Sequence, residues 1–369
     1  MEYHLQCYGC GARYGEDSSR FRCAKCDGIL EVKYNYSTLE LPKGFALQKP
    51  YHKKYLPFYP VKKLVTLGEG DSKLIRAKYI GIPIKGVNLF LKVETGNPTK
   101  TFKDRGSSVE IAKAKELGFE EVCCASTGNM GLSIATYAKS RGMKCTVFIS
   151  RSGNREKIEK IKRAGARVVF VNGDFNKSLQ EAEKFSRKGK IFVCGDYHYR
   201  KEGQKSVGFE IIDQSKRVPD YVFVPVGNST LLAAIYKSFL EYKRMGILKK
   251  MPRLVAVQSM QCDPLVRAFK EKKTVRYMKP RTKADAIAVG FPTFGFEGLS
   301  ALKKTGGDAI AVHDNSILWV SQKLKRHMGV SSELGGATAL AGFFEMRGDD
   351  MRRFDGKTVV AVITGNNED

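Results

Sequence analysis

From about Gly86 onward, eight short runs rich in Val, Ile and Phe alternate with amphipathic segments: VNLFLKVE, EVCCA, KCTVFIS, ARVVFV, KIFVCG, DYVFVPV, RLVAVQ and TVVAVIT. Runs that stay apolar along their length are what parallel strands need when helices cover both faces of a sheet; a strand with one wet face alternates instead. Between the runs the sequence predicts helices at about residues 103–116, 130–141, 154–164, 174–187, 202–214 and 230–244. Several end in glycine, as in KELG, KSRG and KRAG, because a helix C-terminus often turns through the left-handed region. Repeated strand and helix alternation implies an α/β fold with helices on both faces of the sheet.

That pattern also says where chemistry belongs. In open sheets of this kind ligands sit at the carboxyl ends of strands, where backbone amides and helix amino ends converge. Four polar, glycine-containing segments follow predicted strands: ETGNPTKTFKDRG (94–106), STGNMG (126–131), PVGNST (225–230) and TGNNED (364–369). All four are expected to line one cleft. Lys103 follows a Gly-Asn-Pro turn and stands at the predicted start of a helix. The positive end of the helix dipole and neighbouring cations disfavour its ammonium form and help supply the neutral amine that Schiff-base chemistry needs. Taken alone, a lysine on a first turn is more often a solvated side chain. PVGNST opens an apolar helix, so the amides of Gly227 to Thr230 and the hydroxyls of Ser229 and Thr230 suit a phosphate, although a plain tight turn fits as well. STGNMG repeats the arrangement, with Asn129 placed to donate to a ring oxygen and Ser126 or Thr127 to a carboxylate. No GxGxxG fingerprint or Walker loop is present, which argues against a dehydrogenase or a nucleotide hydrolase.

A chain of 369 residues buries a substantial core in two or three domains. It carries no low-complexity tract and no internal repeat, and no apolar stretch approaches the roughly 20 residues of a membrane helix. Its amino terminus, MEYHLQCYGC, lacks the layout of a signal peptide, so a soluble cytoplasmic protein without a membrane partner is expected. Lys and Arg exceed Asp and Glu by 64 to 38, a net +26 that concentrates any anionic partner. Nucleic acid, a phosphorylated metabolite and adaptation to a salty or hot cytoplasm all fit that charge. The cations are spread along the chain, which does not favour nucleic acid as the main partner.

Four of the nine cysteines form Cys7-x-x-Cys10 and Cys23-x-x-Cys26, separated by 12 residues. Each CxxC turn presents two sulfurs to one ion, so the set predicts a structural Zn²⁺ in a ribbon too small to have its own core. An iron–sulfur centre or two redox pairs are the alternatives. Cys123, Cys124, Cys145, Cys194 and Cys262 lie in apolar runs and are expected to be buried thiols. His4, His52, His198, His313 and His327 lack metal-site spacing, and His198, near Arg200, is the one placed to touch a site.

In this order the segments resemble the fold-type II pyridoxal-phosphate-dependent enzymes, tryptophan synthase beta-like, and most closely threonine synthase. The resemblance covers nearly the whole chain: LGEGDSKL (67–74), GNPTKTFKDRG, STGNMG, EGQKS (202–206), ADAIAVGFP (284–292) and the carboxyl-terminal TG pair. Archaeal and some bacterial threonine synthases are similar in carrying an amino-terminal ribbon. The resemblance implies a two-domain, three-layer α/β/α fold and pyridoxal 5'-phosphate as cofactor. It divides the chain into a zinc ribbon at 1–34, a connecting arm at 35–60 and a catalytic body at 61–369, with a smaller inserted domain at about 104–205 and a larger one of about 61–103 plus 206–369.

Carried over by position, Lys103 is the Schiff-base lysine and proton shuttle, flanked by Phe102, and Asn129 meets the pyridine hydroxyl. Gly227, Asn228, Ser229 and Thr230 hold the cofactor phosphate, and Thr364 faces the pyridine nitrogen. Ser126 and Thr127 receive the substrate carboxylate, and Arg200 contacts the substrate phosphate. The implied reaction is conversion of O-phospho-L-homoserine and water to L-threonine and phosphate, by γ-elimination and addition of water at Cβ, in a homodimer. The chain departs from the family pattern at Tyr197, Leu231 and Glu333 to Gly336. A serine/threonine dehydratase, a phosphoserine-using synthase and, from another class, a nucleic-acid-binding zinc protein are the alternatives.

Overall fold

All eight apolar runs are parallel strands, in two sheets rather than one. The computed structural model describes residues 2–39, 51–126, 128–151, 153–350 and 352–366. Contacts divide the chain into two units, Met1–Asp71 with Lys103–Ser206, and Ser72–Phe102 with Val207–Asp369. Of the connecting arm, residues 40–50 lie outside the described residues, as do Thr127 and Asn367 to Asp369. No helix among the described residues is long and apolar enough to cross a membrane.

The first unit begins with a three-stranded antiparallel ribbon. Strand β1 (Tyr3–Cys7) lies between β2 (Arg13–Tyr14) and β3 (Leu30–Tyr34), in a register that pairs Cys7 with Leu30 and Tyr3 with Tyr34. A short helix, α1 (Tyr51–Lys54), follows. The body is built from α2 (Lys103–Glu116), β6 (Glu121–Ala125), α3 (Asn129–Lys139), β7 (Lys144–Ser150), α4 (Arg155–Arg163), β8 (Arg167–Val171), α5 (Phe175–Arg187), β9 (Ile191–Cys194) and α6 (His198–Gln204). Its sheet order is β8-β7-β6-β9. Local chemistry starts the helices: the Asn154 and Asp174 side chains accept from the amides of Lys157 and Lys177, at 3.2 and 3.0 Å, and so cap α4 and α5. Cys123, Cys145 and Cys194 are buried on its strands with Cys124. Burial pushes the Cys145 thiol up to about 12, so it is a packing residue.

The second unit comprises β4 (Lys73–Arg76), β5 (Asn88–Val93), α7 (Ser206–Gln214), β10 (Tyr221–Pro225), α8 (Thr230–Arg244), β11 (Arg253–Ser259), α9 (Pro264–Glu271), α10 (Gly295–Thr305), β12 (Asp308–Val312), α11 (Asp314–Met328), α12 (Leu334–Asp349) and β13 (Thr358–Ile363). Its sheet order is β12-β11-β10-β13-β5-β4, parallel except for the edge strand β4. The chain runs outward from β10 to β12 and returns to β13 on the other side of β10. Ligands of open α/β sheets bind beyond the carboxyl ends of such a pair. The core of this unit gathers Leu89, Leu91, Phe223, Val255, Leu340 and Val359.

The predicted helix at 202–214 is divided into α6 and α7 at Lys205, and the first part begins earlier, at His198. The hydroxyl of Ser206 takes the Gly203 carbonyl at 2.8 Å, a local bond that competes with the helical ladder. Lys205 is itself fully buried, its ammonium 2.7 Å from Glu202 and 4.5 Å from the centre of the Tyr34 ring. The Tyr34 hydroxyl donates to Glu202 at 2.7 Å, and in this way the ribbon is fastened to α6. A second fastening runs from Arg22 to Glu183 on α5, at 2.8 Å, and from Glu183 to the Tyr197 hydroxyl at 2.8 Å. Replacing Tyr34 with Phe removes a buried donor from a buried carboxylate. That loss is worth about 1–3 kcal/mol and is read as a lower denaturation midpoint for Tyr34→Phe; an unchanged midpoint contradicts the fastening.

Candidate active site

Lys103 is the first residue of α2, half-buried, with Asp104 fully buried beside it. The carbonyl of Lys103 accepts from the Ser107 hydroxyl at 3.2 Å and from Nη1 of Arg200 at 3.1 Å. Helix α3 lies alongside: the Ser133 hydroxyl donates to Asp104 at 2.5 Å, and the Ser107 and Ser133 hydroxyls are 2.7 Å apart. The same helix carries Tyr137, whose hydroxyl donates at 2.6 Å to Glu69 of the LGEGDSKL segment. Glu69 also accepts from the Leu67 amide and the Thr66 hydroxyl, so one carboxylate shapes that loop and attaches it to α3.

Asn129 starts α3 and is buried. Before it, Gly128 has φ 140°, a conformation open to glycine, and this lets the chain turn sharply from β6 into the helix. Ser126 closes the turn: its Oγ accepts from the amides of Gly128 and Gly131, at 2.8 and 2.7 Å. With its lone pairs engaged by two amides, Ser126 keeps its hydroxyl hydrogen for donation. Thr127 lies outside the described residues.

Arg200, on α6, is fully buried. Its Nη2 donates to Glu110 of α2 at 2.5 Å and to the Ser107 hydroxyl at 3.2 Å, while Nη1 holds the Lys103 carbonyl. The other oxygen of Glu110 accepts from the Gly195 amide at 2.7 Å. Burial pushes the Glu110 carboxyl up, to about 7, against the pull of Arg200 and of that amide. Nη1 and Nη2 of Arg200 thus serve three protein acceptors, while its Nε, also buried, meets no hydrogen-bond partner. His198 is buried, its ring 4.1 Å from that of Tyr199.

In the second unit, Gly227 to Thr230 follow β10. Ser229 has φ 66°, and α8 begins after it without a side-chain cap hydrogen bond. The Ser229 hydroxyl is buried and meets no hydrogen-bond partner. Asn228 is used structurally, its side-chain oxygen accepting from the Thr293 amide at 3.2 Å and its carbonyl from the Phe294 amide at 3.0 Å. Uncapped amides and an unmatched hydroxyl at the positive end of a 15-residue helix fit a phosphate group. Thr364, buried, follows the neighbouring strand β13. Its carbonyl accepts from the Phe102 amide at 3.0 Å, and Thr101 bridges to Gly365. The Gly365 carbonyl accepts in turn from the amide of Glu333 at 3.1 Å.

Sequence reasoning missed the supports behind these residues. Lys92 is fully buried and reaches Glu210 at 2.6 Å, Gln214 at 2.9 Å and the Ser72 carbonyl at 2.7 Å. The Ser72 hydroxyl reaches Glu94 at 2.5 Å, and Glu94 accepts from the Asn97 side chain at 2.9 Å, which shapes the chain leading to Phe102. Glu110 was missed likewise. In both cases the available signal is a charge inside an apolar pattern, VNLFLKVE and SSVEIA.

The sulfurs of Cys7, Cys10, Cys23 and Cys26 all lie within 4.8 Å of one another. The Tyr14 hydroxyl, 3.1 Å from the Cys23 sulfur, pulls that thiol down to about 6, while, against the pull of the Gly28 amide, the neighbouring sulfurs push Cys26 up to about 12, so the set has to release protons to take an ion. Four sulfurs so clustered fit a tetrahedral site.

The sequence profile of the family described as pyridoxal-phosphate dependent enzyme matches residues 65–365. The chain is 35% identical to a threonine synthase of Methanosarcina acetivorans, over 99% of this chain and 91% of that protein. It is 34% identical to a threonine synthase of Methanocaldococcus jannaschii, over 98% and 91%. In fold it is similar to maize serine racemase, with a TM-score of 0.70 at 20% identity over 81% of this chain and 88% of that one. An L-serine ammonia-lyase from Rhizomucor miehei gives a TM-score of 0.71 at 18% identity, over 82% and 95%.

Because Ser126 caps its own loop, Ser126→Ala strands two buried amides, a loss of about 1–3 kcal/mol or more. A lowered melting temperature is expected for the variant even without ligand. Equal melting of the two proteins rules out the cap.

Proposed function

We propose, from the premise that this chain belongs to the threonine synthase family of pyridoxal-phosphate dependent enzymes, that it converts O-phospho-L-homoserine and water to L-threonine and phosphate. It is a carbon–oxygen lyase of that family. When bound, pyridoxal 5'-phosphate supplies an electron sink for charge at the substrate α-carbon. Lys103 holds the cofactor through its amine and, once free, takes the proton from Cα and then one from Cβ, and protons are returned at Cγ and at Cα as threonine forms. Phosphate departs from Cγ and water adds at Cβ.

The remaining roles follow chemistry already described. Gly227, Asn228, Ser229 and Thr230 receive the cofactor phosphate, and the observation that carries this assignment is the unmatched, buried hydroxyl of Ser229 at the uncapped start of α8. Asn129 donates to the pyridine hydroxyl, Phe102 flanks the lysine, and Thr364 at the end of the neighbouring strand faces the pyridine nitrogen. The hydroxyl of Ser126 donates to the substrate carboxylate, a role that Thr127 shares. Zn²⁺ at Cys7, Cys10, Cys23 and Cys26 is structural, since four thiolates leave no open position. The reading includes a ribbon, an arm and a catalytic body of two domains, in a cytoplasmic homodimer whose partner is a small anionic amino acid.

Two experiments test it. The purified protein is expected to show a cofactor band near the visible edge and to release phosphate and threonine from O-phospho-L-homoserine. Lys103→Ala loses the band and at least about a thousand-fold in rate, the upper range of a positioned acid–base group. Oxo acid and ammonia from serine or threonine, without phosphate release from O-phospho-L-homoserine, identify a dehydratase instead. Elemental analysis is expected to find stoichiometric zinc, lost when Cys7 and Cys23 are replaced by serine, with lowered thermal stability. Metal-free protein of full stability excludes the structural ion.

A further inference from the structure

We propose that Arg200 and Glu110 are positioning residues for Lys103: a buried ion pair that fixes the first turn of α2 from behind and makes no contact with substrate. The pair rests on the assignment of Lys103 as the cofactor lysine. Its bonds through Nη1 and Nη2 are made by the protein alone, and only the buried Nε is left without a partner. The side chains are 0% and 1% exposed, and the guanidinium spans three acceptors, the Glu110 carboxylate, the Ser107 hydroxyl and the Lys103 carbonyl. A planar fork of donors holds such a set in one orientation, which a lysine ammonium does not. Glu110 in turn receives the Gly195 amide, so α2 is tied to the loop after β9 as well as to α6.

The two helices are close enough that the pair has no slack. A Cβ on Gly106 would lie 2.7 Å from Arg200 Cγ and 3.0 Å from its Nη1, and a Cβ on Gly203 would run into the Arg105 carbonyl. The guanidinium is thus enclosed between the backbone of α2 and its own helix. Its bond to the Lys103 carbonyl sits on the residue that carries the reacting amine. A shift of the first turn moves that amine directly, and misplacement of a reacting group by about 1 Å is worth on the order of a hundredfold in rate.

The experiment uses the holoenzyme of wild type, Arg200→Lys and Glu110→Gln, with two readouts: the absorption maximum of the substrate-free protein, and kcat and KM for O-phospho-L-homoserine. Both variants are expected to shift the absorption maximum and to lower kcat about ten- to a hundredfold while KM changes less than about twofold, as loss of positioning without loss of ground-state binding requires. A KM raised more than about tenfold in Arg200→Lys, with the substrate-free spectrum intact and Glu110→Gln behaving as wild type, places Arg200 on the substrate and overturns the proposal. Should Arg200→Lys fail to fold, Glu110→Gln decides alone: an unshifted spectrum with unchanged kcat overturns it. Failure of the underlying assignment looks different, since wild type then shows no band that Lys103→Ala removes.

Discussion

An arginine and a glutamate taken out of water together gain little unless every remaining donor and acceptor is met, because the desolvation of two charges rivals their attraction. In this chain most of that demand is answered where the guanidinium of Arg200 and the carboxylate of Glu110 recruit a hydroxyl and a backbone carbonyl from α2 and a backbone amide from the loop after β9, with only Nε of Arg200 left unpartnered. The carbonyl is that of Lys103. The position of the amine-bearing residue is therefore set by an interaction that no local propensity specifies. The first turn of α2 could form with any helix-compatible residues; this pair, together with Ser133 on Asp104, fixes where it points.

The same device recurs. Lys205 with Glu202, and Lys92 with Glu210, are fully buried pairs, each joined by a further polar group: the Tyr34 hydroxyl in one case, Gln214 and the Ser72 carbonyl in the other. Pairs of this kind add little net stability over an apolar replacement, yet losing one partner strands the other. They are strict about geometry for that reason. One fastens the ribbon to α6, and the other braces the strand that leads into the Glu94 to Phe102 segment. Each lies one step behind a residue assigned to chemistry.

That placement explains what the sequence discloses and what it conceals. Parallel strands buried on both faces leave continuous apolar runs, so all eight were legible; β4, KLIR with exposed ends at a sheet edge, leaves no such run, whereas β12 carries the short run AIAV and was passed over. Helix α12 is buried nearly all round along its first three turns and so carries no amphipathic stripe to read. The division between α6 and α7 falls at Lys205, beside a local bond from the Ser206 hydroxyl to the Gly203 carbonyl, a detail below the resolution of a periodicity argument. Glycine-rich segments after strands could be located because strand order and helix starts govern them. The partners of Arg200 could not: Glu110 precedes it by 90 residues, and nothing in either sequence neighbourhood announces the pairing.

Charge is subject to the same reasoning. Of the net +26, a portion gathers in a groove of about 780 Å³ beside the ribbon, lined by Arg20, Arg22, Lys25, Arg187 and Lys190 with the single carboxylate Asp27. Read alone, such a groove invites an anionic partner. Cys23 and Cys26 line it too, and four thiolates around a divalent ion leave an excess charge of about −2. Arg22 is already paired with Glu183, and Arg187 lies against the Phe21 ring and 3.5 Å from Asp27. With the ion in place, the cations answer the thiolates and the neighbouring carboxylates before any external anion. The basic field beside the ribbon is then largely internal compensation, and the anionic substrate of the proposed reaction has to be recognised elsewhere, by groups whose charge is not already spent.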